Sequence, residues 1–339
     1  MTLRQLARTN PDDLTRLSRG AQATVYLLPE SMRVDGHDRL VYKRYRPTRT
    51  MRGRETATLL TLEQLVGAYH GLGARPDGAR IRGMLDHHAA WPLATVAADD
   101  GTVGVVERRV DARFLGGPNA RDAEVAHLER WVRDPSQDAM LVRDGLHPLG
   151  DEGRARIVTQ LLAYYSLVHR LGFVVGDISL RNVLAYVPER RQGALANVGF
   201  IEVDTYRRQG CGCGIAQGTT PGFDVPESVM WQRRAGQARR EDERRFARAM
   251  ATVQTERTDV YKAALLVLRL CSCGEPFPST VRRVRSAAQR AAVRAAGGSE
   301  ALAALQGALA EDPQDRPTMH ELYHAFRGGS CDGKKGGSR

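Results

Sequence analysis

The sequence predicts an α+β protein with a small β-rich first part and a larger helical second part. Three observations carry this. Up to about residue 110 the apolar residues alternate or cluster in β-branched runs, as strands require. From about residue 111 the apolar spacing lengthens to three or four, as amphipathic helices require. The run Val260–Leu270 is apolar nearly all round, which marks a helix buried on every side.

The elements follow in order. Strands are expected over Ala23–Leu28, Arg39–Arg44, Leu93–Ala97 and Val103–Val110, with Asp99, Asp100 and Gly101 as a hairpin turn between the last two. Leu59, Leu62, Leu65 and Val66 space a helix over Glu55–His70. Ile157, Leu161, Tyr164, Leu167 and Val168 do the same for Arg154–Leu171. A strand is expected over Val198–Val203, and closing helices over Ala301–Leu309 and Thr318–Phe326. The glycine-rich polar stretch 328–339 is expected to be a disordered tail. The expected organisation is therefore 1–110, 111–327 and that tail. A cleft between two such parts is a common ligand site.

Composition narrows the class. The 339 residues include 50 basic and 39 acidic ones, a net charge of +11, with 42% hydrophobic and 26% charged residues. That is a folded, globular balance. No run approaches the roughly 18 apolar residues that span a bilayer, and the first residues, MTLRQLARTNPDD, lack the apolar stretch of a secretory signal. Five cysteines are too few for a disulfide scaffold and point to reduced thiols, so a cytoplasmic location without a membrane partner is expected. Only Lys43, Lys262, Lys334 and Lys335 are lysines; every other basic residue is arginine. The arginine excess reads as the codon habit of a GC-rich genome, not as a nucleic-acid surface.

The chemistry sits in few residues. Val174–Leu184 reads VVGDISLRNVL, with Asp177 and Asn182 in a loop after an amphipathic helix. Phosphoryl transfer needs such a pair: a carboxylate to position the attacking hydroxyl and an amide oxygen for a metal ion. Asp204, at the end of a strand-like run, is a second carboxylate of the kind Mg²⁺ takes together with phosphate oxygens.

These parts and their order resemble eukaryotic-type Ser/Thr protein kinases of the bacterial sort over most of the chain. Leu17–Tyr26 (LSRGAQATVY) resembles the phosphate-covering loop, and Val41-Tyr42-Lys43 the third-strand lysine motif. Thr220–Glu227 (TPGFDVPE), Asp259-Val260-Tyr261, Asp312-Pro313 and Arg316-Pro317 resemble the family's later signatures. The resemblance implies a two-lobed protein kinase-like fold with ATP and Mg²⁺ as cofactors and transfer of the γ-phosphate to a protein Ser or Thr. It implies Asp177, Lys43 and Arg181 as catalytic residues, and Asn182 and Asp204 as metal ligands. Ser18, Gly20, Ala23, Val25, Lys43, Glu63, Val106 and Glu107 would line the nucleotide, with Val106 as gatekeeper and the hinge near Glu107–Arg109. Glu63 or Glu55 would brace Lys43. In the family, residues matching Glu227 and Arg316 form a buried ion pair, and the one matching Asp259 holds the catalytic-loop backbone.

Some positions depart from the pattern. Ser18 and Ala23 stand where the family has glycines, Gly176 replaces the arginine before the catalytic aspartate, and Ser179 replaces a lysine. With no arginine at 176, activity independent of loop phosphorylation is expected. A pseudokinase scaffold and a small-molecule phosphotransferase remain open. So does a zinc protease, because His320-Glu321-Leu322-Tyr323-His324 matches HExxH, although no third ligand follows. Cys211 and Cys213, and Cys271 and Cys273, form two CxC pairs whose thiols are metal or redox candidates. Residues 228–300 hold 15 basic and 7 acidic residues, so an acidic protein substrate is a candidate partner. Few aromatics argue against nucleic acid. The oligomeric state is not legible.

Overall fold

The computed structural model describes residues 1–20, 22–46, 55–116, 125–132, 138–189, 195–210, 217–275 and 278–332. The chain divides into two compact units. The first comprises Met1–Leu115, Ala120–Val125 and Gly199–Ala216, and the second the remainder. The division differs from a single break near 110, because the stretch carrying Asp204 returns to the first unit. Backbone pairing fixes that return: Ala90 N donates to Phe200 O at 2.9 Å. Among the described residues no helix is long and apolar enough to cross a membrane.

The first unit is built on one antiparallel sheet. Its strands are β1 (Thr15–Arg19), β2 (Ala23–Leu27), β3 (Leu40–Tyr45), β4 (Pro92–Ala97) and β5 (Val103–Arg108), in the order β1-β2-β3-β5-β4. The β4–β5 hairpin turns at the expected place, where Gly101 takes a φ of 78° and donates to Ala98 O. Val25 lies opposite Lys43, and Lys43 opposite Val105, while Val41 lies opposite Glu107. Opposed residues share a face and successive ones alternate. Ala23, Val25, Lys43, Tyr45, Val105 and Glu107 therefore share one face. Helix α2 (Glu55–His70) covers part of that face, with Leu62 joining Ala23, Tyr45, Val103 and Val105 in one core cluster. Trp91 anchors α2 by donating from Nε1 to Leu65 O at 3.1 Å. β1 (TRLSR) and α3 (Gly78–His88) escape the sequence pattern, as does the short α1 (Leu3–Arg8). β1 is an almost wholly exposed edge strand, and α3 buries only Gly78, Ile81 and Leu85.

The second unit is mainly helical: α4 (Asp138–Arg143), α5 (Asp151–Arg170), α6 (Pro226–Gln237), α7 (Glu241–Ala251), α8 (Glu256–Cys271), α9 (Ala287–Ala308) and α10 (Met319–Asp332). α8 starts at a capping box, with Thr255 and Thr258 each bonding the other's backbone N–H. It is buried continuously from Thr258 to Cys271, as its all-round apolarity requires. α9 begins well before Ala301, because two helical pieces join across a kink at Gly298 (φ 80°). α10 runs past Phe326 into the glycine-rich stretch, so the tail is helical to Asp332. Packing of α10 against α5 and α9 outweighs the roughly 1 kcal/mol that each helical glycine costs.

Cys271 and Cys273 are free thiols. Cys271 is buried at the end of α8, and burial pushes its thiol up to about 12. Cys273 is partly exposed and donates to Trp131 O at 3.1 Å. Because the thiolate is the reactive form, iodoacetamide at mildly alkaline pH should label Cys273 first and spare Cys271 until the protein unfolds. Site-resolved mass spectrometry reads this; equal labelling of both would refute it.

Candidate functional site

Two constellations emerge, one in each unit. In the first unit, Lys43 projects from β3 and is only 6% exposed. Its Nζ lies 2.9 Å from Asp204 Oδ1 and 2.7 Å from Glu202 Oε2. Asp204 is fully buried, and its second oxygen accepts from the Tyr45 hydroxyl. Burial alone would lower the lysine's pKa, but the carboxylates of Asp204, Glu202 and Glu107 outweigh it and hold Lys43 charged. The Tyr45 hydroxyl is held protonated, first by burial and then by Asp204. A buried ion pair is a poor device for stability, since desolvation offsets most of the attraction. Its presence beside two further carboxyl groups points to a task other than holding the fold.

Two residues of this cluster differ from expectation. Glu63 is exposed on α2, and neither it nor Glu55 is among the ion-pair partners of Lys43. Glu202 holds the lysine instead. It does so from a left-handed conformation (φ 58°), which costs a residue with a side chain on the order of 1–3 kcal/mol. Val106 is not on the lysine's face: it opposes Tyr42 and Ala94 on the sheet's other side. The alternation puts Glu107 on the lysine's face. Glu107 is 6% exposed, its Oε1 has no hydrogen-bond partner among the described residues, and it lies inside β5. Burial, then the neighbouring Asp204, raises its carboxyl well above the usual range.

Of the other expected nucleotide residues, Val25 faces Lys43 across the β2–β3 ladder, while Ala23 is buried in the core cluster. Ser18 and Gly20 are exposed, and Gly20 N donates to Ala23 O at 2.9 Å.

In the second unit the loop Val174–Asn182 is held from behind by α8. Asp259, fully buried, accepts from Val175 N at 2.7 Å and Gly176 N at 2.9 Å, and His169 Nε2 lies 2.9 Å from it. Thr220 donates its hydroxyl to Asp177 Oδ1 at 2.8 Å. Asn182 Nδ2 donates to Asp177 O at 2.8 Å, which leaves the amide oxygen for a cation. Ser179, where the family has lysine, accepts weakly from Asn182 N at 3.3 Å. Arg316 makes two 2.8 Å bonds to Glu227, the expected pair. No protein-family model matches this chain. No curated protein matches it either. What the two constellations can do must come from their chemistry.

Arg181 does not serve Asp177: its side chain is 70% exposed and pairs with Glu129 at 2.8 Å. The cation behind the loop is Lys262, which sequence reasoning misses. From α8 its Nζ donates to Gly176 O at 2.5 Å and to Gln254 Oε1 at 2.8 Å. Burial lowers its pKa, while Asp259 and Asp177 pull the other way. The available signal is scarcity: Lys262 is the second of four lysines and interrupts the largely apolar run Val260–Leu270. At Gly176 the backbone favours glycine. Its φ is 76°, and a Cβ would stand 2.5 Å from the Gln217 amide.

The remaining candidates have other work or lie elsewhere. His320, Glu321 and His324 are exposed, and Glu321 accepts from Thr318 N and Oγ1 as a helix cap. Among the described residues no group of three His, Cys, Asp or Glu is placed to hold a metal. Cys211 and Cys213 lie outside the described residues.

Proposed function

We propose that the chain is an ATP-dependent protein kinase of the two-lobed, protein kinase-like fold, transferring the γ-phosphate to Ser or Thr of a protein. The observation that carries this is the Lys43–Asp204 ion pair: two residues 161 apart in sequence, needed for phosphate and metal respectively, stand 2.9 Å apart. The donor set suits Mg-ATP. Lys43 is a compact charge for phosphate oxygens, and Glu107 keeps a buried acceptor without a partner. Asp204 in the first unit and Asn182 in the second each offer a hard oxygen of the kind Mg²⁺ prefers, and a bound ion would supply charge that neutralises the phosphates. Asp177 then orients the acceptor hydroxyl and takes its proton. The hydroxyl oxygen bonds the γ-phosphorus as the bond to the ADP oxygen breaks, and ADP leaves with that electron pair. Positioning and electrostatics supply most of the rate.

A nucleotide-binding scaffold is the second reading, favoured because both Asp204 oxygens already accept from Lys43 and Tyr45. Incubation with γ-labelled ATP and Mg²⁺ separates the two. Label on Ser or Thr of the protein or of a generic acceptor, lost in Lys43→Met, is the expected result. ATP binding with no label on any acceptor would sink the kinase in favour of the scaffold.

A further inference from the structure

Helices α6 and α7 form a hairpin ahead of α8, and apart from Glu227 at its start neither constellation uses it. One side of it borders a groove of about 670 Å³. The groove is lined by Gln217, Thr219, Gln232, Arg244, Arg248 and Gln254 among others, and no lining residue is acidic or aromatic. Arg244 and Arg248 stand one turn apart on α7, so both present to the same side. Arg244 is shared with Glu241 at 2.9 Å, but Arg248 is exposed and has no acidic partner among the described residues. The groove's position matters as much as its charge. Thr219 adjoins Thr220, whose hydroxyl is 2.8 Å from Asp177. Gln217 donates from Nε2 to Val174 O at 3.1 Å and Val175 O at 3.3 Å, tying the groove to the loop that carries Asp177.

We infer that this groove binds an acidic peptide segment flanking the phosphoacceptor hydroxyl, with Arg248 and Arg244 as its specificity residues. The occupant follows from the lining. Two guanidinium groups, one of them shared with Glu241, and several amides suit Asp and Glu side chains. The lack of any ring on which a base could stack disfavours a single-stranded nucleic acid. The aromatic pair of the hairpin, Trp231 and Phe246, lines a different pocket with Arg234. That the segment belongs to a substrate rests on the kinase proposal, but its binding can be read without turnover.

The test uses the full chain and two fluorescently labelled peptides, one with a serine flanked by glutamates and the other with glutamines in their place. Anisotropy should show the glutamate peptide binding wild type more tightly, with the advantage falling as salt rises. Arg248→Glu should weaken it by about tenfold, the order expected for losing an exposed pair and gaining repulsion. Arg244→Glu added to it should weaken binding further, and Arg248→Lys should largely retain it. Equal binding of both peptides, or no change in Arg248→Glu, overturns the inference, as does preferential displacement by a single-stranded oligonucleotide. Mg-ATP added to the same samples keeps the two proposals apart. An acidic peptide bound through Arg248 but never phosphorylated defeats the kinase proposal alone. Phosphorylation indifferent to acidic flanks defeats the groove alone.

Discussion

Asp177→Ala should remove phosphoryl transfer while leaving ATP binding within a fewfold of wild type. The carboxylate is the acceptor of the Thr220 hydroxyl at 2.8 Å, and its backbone is fixed by Asn182 and by Asp259 acting through Val175 and Gly176. Truncation therefore removes the proton acceptor without releasing the loop. General-base contributions are typically worth about 10²–10⁴ in rate, so turnover should fall by at least the lower figure. Stability should fall by about 1.5–3 kcal/mol, the worth of one neutral donor to a carboxylate. Label incorporation and ATP binding by calorimetry, run side by side, read the two effects. Turnover equal to wild type would remove Asp177 from the mechanism.

Arg316→Ala should destabilise the fold by about 3–5 kcal/mol, the usual loss when one member of a buried ion pair is deleted. The side chain is fully buried, and it bonds both oxygens of Glu227 at 2.8 Å. It also donates to the carbonyls of Ala310, Arg257 and Glu311 and stacks its guanidinium 4.9 Å over the Tyr261 ring. Arg316→Lys should recover only part, since one ammonium cannot reach both oxygens and three carbonyls. Arg283→Ala, which breaks an exposed pair with Glu311, should cost about 0–1 kcal/mol. Urea midpoints measured on the three variants provide the ranking. A midpoint for Arg316→Ala equal to that of Arg283→Ala would contradict it.

Much of this arrangement is legible from residues with a strong local signature. The recurrence of Leu62 and Leu65 on one face predicts α2 over Glu55–His70, the span it has. Lys43 and Asp204, singled out by their chemistry, do meet. What escapes is long-range or register-dependent. Glu202 reaches Lys43 only because its backbone turns left-handed, and nothing local announces that in a glutamate. Sequence alone puts Val106 and Glu107 together along the nucleotide, whereas register with β3 places them on opposite faces, since one step along a strand reverses the side. Lys262 acts across 86 residues on Gly176 O, a link no spacing rule contains.

The left-handed backbone at Gly176 also constrains what point mutation can reach. An arginine there would carry a side chain at positive φ, at a cost on the order of 1–3 kcal/mol, and the flexible end of Gln217 would have to move aside for its Cβ. Trimming Gln217 first would release the carbonyls of Val174 and Val175. The two positions should therefore couple, the effect of a side chain at 176 depending on what stands at 217.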